Sequence, residues 1–279
     1  MQLNSGFSCN SIIWLTSSRA GEAGPTRRMT EDLGSLMNTF ALGFQVIDIT
    51  SKKSFEEILI ELTHHAKESR MRPILHIDMH GCAENGLFVC ETNEYISWDF
   101  VVDLLRDLNV ATQNNLCIVG AACYGLRAIM PIKLNQATPF FILLAPEEEV
   151  EVGFLLDNIF SFYNCLFQTG SIDTAYSRNL SDEFKYFHCE KMLFIAIARY
   201  IKEQCRGKGG QSRRERLLTE IFSDQSEESK SQTITETRSK LKESLKPDQS
   251  LLDRYAKKFL ISRSCSFKFD ELLNFVESA

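Results

Sequence analysis

Across residues 11–200, apolar runs of strand length alternate with stretches whose apolar residues recur every three to four positions. This order constrains the fold more than any other feature of the chain. Strands that alternate with helices bury both faces only by lining up in parallel beneath layers of helix. The strand candidates are residues 11–15, 44–49, 73–79, 116–120 and 139–145. Helical spacing covers 29–42, 54–68 and 98–109, and Ser54 with Glu57 forms a candidate capping box at the start of the second. Residues 87–89 and 94–96, around Thr92-Asn93, suit a small hairpin beside the sheet. The expected architecture is an α/β/α sandwich with a mostly parallel central sheet, followed by a C-terminal helical extension.

Charge divides the 279 residues unevenly. Residues 1–200 hold 15 Lys+Arg against 24 Asp+Glu, whereas 201–279 hold 16 against 13. The shift falls at the basic run 206–216, which predicts one domain over 1–205 and a basic, helical extension over 206–279. Its polar stretch 206–246 reads as a flexible linker and a candidate cleavage segment. That run lacks the interleaved aromatics of a base-stacking surface, so nucleic acid is not an expected partner. No apolar run reaches the roughly 18–20 residues of a membrane span, and the first ten residues lack a secretory pattern. A cytoplasmic protein with no membrane contact is expected. Nine cysteines without export or a CxxC pair then read as thiols, most of them small buried hydrophobes, with no metal and no cofactor. Neither GxGxxG nor GxxxxGK[ST] follows a strand, which disfavours a nucleotide-binding domain.

Ligands and reactive groups in such sheets gather at the carboxyl ends of strands. Three strand ends carry chemistry: His80-Gly81, Ala121-Ala122-Cys123-Tyr124-Gly125, and Pro146 followed by Glu147, Glu148 and Glu149. A thiol activated by an imidazole is the nucleophile of acyl transfer, and the imidazole then protonates the leaving amine. The backbone N–H groups of Gly81 and Cys123 are candidate donors to the oxyanion. Gly125 would let the chain turn sharply after the thiol. Asp78 shares a strand face with His80 and either orients it or bonds backbone within the sheet. Cys82 is a rival thiol on the wrong loop. The glutamates at 147–149 either place a carboxylate in a pocket that selects Arg or Lys, or favour the start of the next helix.

LHIDMHG at 75–81 is similar to the strand-then-His-Gly motif of the caspase-like (clan CD) cysteine peptidases, and IVGAACYG at 118–125 to their strand-then-Cys motif. Residues 140–179 look like the bacterial CHAT-domain group: a strand, Pro and acids, a helix with a Phe-Tyr pair, a Thr-Gly turn and another helix. The resemblance covers roughly 11–200. It implies a caspase-type sandwich, His80 as general base and acid, Cys123 as nucleophile, and Gly81 N–H as an oxyanion donor. It further implies a regulated thiol protease acting on a protein or peptide, with an activating protein partner and a role in antiviral defence or programmed cell death. Tyr124 departs from the Glu common in CHAT proteins and the Arg of caspases, and 201–279 matches no motif. The alternative is an inactive caspase-like scaffold that binds a protein through its C-terminal extension.

Overall fold

A computed structural model describes residues 3–19, 21–223 and 230–278. Its chain divides into two compact units. Asn4–Cys189 with Lys258–Arg263 build one, and Glu190–Lys257 with Ser264–Ala279 build most of the other. The division falls at 189/190 rather than at the charge shift near 206. A short segment also returns to the first unit: Thr138 N–H donates to Phe259 O at 2.9 Å, and the Arg263 guanidinium lies 3.8 Å over the Phe141 ring. Charge marks solvent-facing composition, whereas unit boundaries follow buried contacts.

The first unit runs β1 (Ser11–Ser17), α1 (Ala23–Thr39), β2 (Gly43–Asp48), α2 (Lys52–Glu68), β3 (Pro73–Cys82), β4 (Gly86–Val89), β5 (Glu94–Ile96) and α3 (Trp98–Ala111). It continues with β6 (Cys117–Gly120), a 3-10 turn (Gly125–Ile129), β7 (Ile142–Pro146), α4 (Val152–Thr169), α5 (Ile172–Asn179) and β8 (Phe184–His188). The sheet order is β2-β1-β3-β6-β7-β8, parallel throughout except for β8, which pairs antiparallel with β7. β4 and β5 form the expected hairpin and extend the end of β3.

Right-handed crossovers fix the layers. The step from β1 to β2 moves outward and the steps from β2 to β3 to β6 move back, so α1 lies on one face and α2 and α3 on the other. The helix contacts agree, with α2 against α3 and α1 against α4. Covered on both faces, β1 is buried along its whole length. Trp14, Phe55 and Phe141 are among the largest side chains with no exposed surface.

Local starts differ from the sequence expectation for identifiable reasons. α2 begins at Lys52, because Ser51 rather than Ser54 caps it. Ser51 Oγ accepts the Ser54 N–H at 3.0 Å and Ser54 Oγ accepts the Ser51 N–H at 3.0 Å. Glu57, freed from the box, pairs with Lys53 at 3.3 Å. α1 begins at Ala23, earlier than its apolar spacing, with Pro25 in the first turn where no N–H is required. Only Cys117 and Cys189 are buried; the other seven cysteines are half-buried, and none is in a disulfide.

The second unit is helical: α6 (Cys189–Tyr200) passes into a π-helical turn (Ile201–Cys205), then α7 (Gly207–Phe222), α8 (Lys230–Ser244), α9 (Gln249–Phe259) and α10 (Phe269–Ser278). α7 and α8 occupy most of the 206–246 stretch read as a linker; residues 224–229 lie outside the described residues. Arg238 joins them through two bonds to Glu215, at 3.0 and 2.9 Å. Phe194 packs edge-on against Phe267 and Phe275. Among the described residues no helix is long and apolar enough to cross a membrane.

One core residue makes the fold sensitive to acid. His76, in the middle of β3, has no exposed surface; its ring stacks on Trp14 at 3.5 Å and its Nδ1 lies 3.0 Å from Tyr163 Oη. Burial pushes its pKa down from 6.5 to about 3. The unfolded chain therefore takes up a proton below about pH 6.5 that the folded chain refuses until about pH 3. Stability falls by about 1.4 kcal/mol per pH unit within that window and is unaffected by this group above it. Urea unfolding should show a flatter pH dependence between 6.5 and 4 for His76→Phe than for wild type; equal slopes would exclude His76 as the source.

Candidate active site

β3 and β6 are neighbours, and their last paired residues are Ile77 and Gly120. His80 and Cys123 each lie three residues further on, so the register brings the two candidates to the same height at the same end of the sheet. Beyond the pairing the strands part company. β3 continues into the antiparallel pairing with β4, placing His80 opposite Phe88, while the chain after β6 bends away through Cys123.

The bend brings backbone against backbone. A Cβ on Gly81 would lie 1.9 Å from Cys123 O, 3.0 Å from Cys123 C and 3.3 Å from Cys123 N. Only a residue without a side chain allows this approach. The Cys123 N–H finds no acceptor among the described residues, and Cys123 Sγ lies 4.0 Å from Val150 O. The sharp turn expected at Gly125 is made one residue earlier, by Tyr124 at φ 59°. Tyr124 N–H donates to Glu148 O at 2.9 Å, tying the thiol loop to the loop after β7.

His80 and Cys123 line one open cavity of about 410 Å³, walled also by the β1–α1 loop, Val150 and Val152. The His80 side chain is 48% exposed, and its Nε2 lies 2.9 Å from Glu22 Oε2. A carboxylate only accepts, so Nε2 carries the proton and the lone pair of the neutral ring sits on Nδ1. The same hydrogen bond holds the Glu22 carboxyl below the usual carboxylate range. Glu22 was not among the sequence candidates. It stands 58 residues before His80 and carries no motif, though it lies in the loop that follows a strand.

Asp78 takes neither of the roles expected of it. Its Oδ2 accepts the Thr26 hydroxyl of α1 at 2.7 Å, and Glu22 holds His80 in its place. Asp78 still lines the cavity, and burial pushes its carboxyl up. The glutamates at 147–149 stay outside the cavity. All three are exposed, Glu149 Oε1 accepts the Tyr124 hydroxyl at 3.3 Å, and Val150 and Val152 form the wall. The helix that follows, α4, is preceded by Glu151 and has no side-chain cap bond. Cys82 points elsewhere, with Sγ 3.4 Å from Glu84 Oε2 and 3.5 Å from Asn85 Nδ2.

No family model matches this sequence, and no curated protein matches it. Among the described residues no group of three His, Cys, Asp or Glu side chains is placed to hold a metal ion.

Gly81→Ala must push the Cys123 segment away and should lower stability by about 1–3 kcal/mol. Gly153, near the start of α4, has no atom within 4 Å of such a Cβ, and Gly153→Ala should be neutral or stabilising by up to about 1 kcal/mol. Denaturant unfolding of the two variants checks the contrast; equal effects would remove the close approach as a constraint.

Proposed function

We propose that the chain is a cysteine endopeptidase in which Cys123 attacks the peptide carbonyl and His80 moves the proton. The reading is supported above all by the shared strand-end register of His80 and Cys123 and their place in one open cavity. His80 Nδ1 takes the thiol proton, and the Cys123 thiolate adds to the carbonyl carbon. The N–H groups of Gly81 and Cys123 serve as donors to the oxyanion, a contribution worth about 3–4 kcal/mol per donor in such sites. The imidazolium then gives its proton to the departing amine as the C–N bond breaks. Water, deprotonated by the same nitrogen, hydrolyses the thioester and returns Cys123. Glu22, held ionised by its bond to His80 Nε2, orients the ring and favours its charged form.

The cavity favours a basic side chain before the scissile bond. Its carboxylates are Glu22 and Asp78, and neither Lys nor Arg lines it. With Glu22 engaged by His80, Asp78 is the group for a substrate cation to meet. Following the resemblance, the enzyme would act in the bacterial cytoplasm, gated by a protein partner, in antiviral defence or programmed cell death.

Fluorogenic peptides with Arg or Lys before the cleaved bond test the chemistry. Cys123→Ala should lower turnover on the order of a thousandfold or more, whereas Cys82→Ala leaves it unchanged. Equal turnover by wild type and Cys123→Ala would remove the mechanism, and an inert wild type would favour the scaffold. Glu22→Gln should reduce kcat about tenfold or more with little change in KM. Asp78→Asn should raise KM for Arg peptides about tenfold; an unchanged KM would separate the preference from Asp78.

A further inference from the structure

The start of α7 breaks a local rule. Arg206, Gly207, Lys208, Gly209 and Gly210 open the helix, and its first turn holds no acidic residue. Cations near the positive end of a helix oppose its dipole. Such a departure from local preference is a place to look for a bound anion.

The side chains around that start converge. With the end of α8 and the chain between α8 and α9, they border a cavity of about 380 Å³ lined by Arg206, Arg213, Arg214, Lys242 and Lys246, with Glu243 the one carboxylate in its wall among the described residues. Arg206 is paired with Glu277 at 2.9 Å. Arg213 is positioned by the Tyr200 ring, 5.4 Å from its guanidinium, and by Cys205 Sγ at 3.9 Å. Among the described residues no carboxylate lies within ion-pair distance of Arg213, Arg214, Lys242 or Lys246. Outside the cavity, Arg216 of α7 pairs with Glu220 at 3.8 Å and Arg238 of α8 with Glu215 at 2.9 Å, whereas Lys208 and Lys240 have no ion pair among the described residues. An adjoining cavity of about 510 Å³ shares Arg213 and Lys246 and adds Arg254 and the Tyr200 ring.

Four unpaired cations around one concavity repel one another, and a single small anion offsets only part of that repulsion. A chain of phosphates presents several negative charges together, with tetrahedral oxygens that suit the guanidinium fork and the lysine ammonium. We propose that this cavity binds a ligand carrying two or more linked phosphate groups. The site is independent of the peptidase chemistry and of Cys123.

Isothermal titration of the full chain with inorganic tripolyphosphate, ATP and sulfate tests the assignment. Tripolyphosphate should bind and weaken with added salt, and sulfate should bind at least tenfold more weakly. Arg214→Gln and Lys246→Gln, each confirmed folded by circular dichroism, should each weaken tripolyphosphate about tenfold; Arg216→Gln should not. ATP binding tighter than tripolyphosphate, with the gain lost in Tyr200→Leu, assigns the ligand as a nucleotide; equal binding assigns the phosphate chain alone. No binding of tripolyphosphate or ATP, sulfate binding as tightly, or equal loss in Arg216→Gln overturns the proposal. Single-stranded RNA bound more tightly than tripolyphosphate and weakened by Arg216→Gln also overturns it, in favour of a diffuse nucleic-acid surface.

Discussion

The parallel pairing of β3 with β6 is the constraint on which the candidate site depends. Its last rung joins Ile77 to Gly120, and His80 and Cys123 follow at equal distance on the two chains. The contact that completes the geometry is the approach of Gly81 to the Cys123 carbonyl. Cys123 stands on the loop after β6, which Tyr124 N–H ties to Glu148 O of the loop after β7. A site on strand ends inherits the rigidity of a core buried on both faces, and the loops are left to supply walls, orientation and selectivity.

Those walls show how the charges are shared out. Glu22 takes the exposed side of His80, Asp78 is held deeper by Thr26, and the three glutamates of the β7–α4 loop stay on the surface. Among the described residues, the acids that line the cavity come from the β1–α1 loop and from β3. The helical unit carries the opposite charge, and five of its cations line the cavity beside the start of α7. The mild overall charge of −6 conceals two cavities whose charged linings are of opposite sign.

Much of this was legible in the sequence, because strand and helix periods report burial directly. The parallel strands, the hairpin at β4–β5, and the positions of His80, Gly81 and Cys123 at strand ends all follow from them. What was not legible depends on contacts distant in sequence or on competition between near-equal local choices. β8 carries charged and aromatic residues at the sheet edge and gave no clear period. Ser51 and Ser54 are comparable caps, and the choice between them moved the start of α2. Glu22 bonds His80 across 58 residues, a pairing that no spacing rule encodes; the strand-end rule, applied to β1, points to its loop. The unit boundary followed buried contacts of the segment near Phe259 instead of the change in charge.

The most direct measurement is site mapping of an electrophile. The full chain would be treated with an Arg-containing peptide acyloxymethyl ketone, and its nine cysteines would be read by mass spectrometry. One adduct is expected, on Cys123, and it is lost in His80→Ala while the protein stays folded. Label spread over Cys82 and the other half-buried thiols, or an adduct on Cys123 that forms as fast without His80, would contradict it.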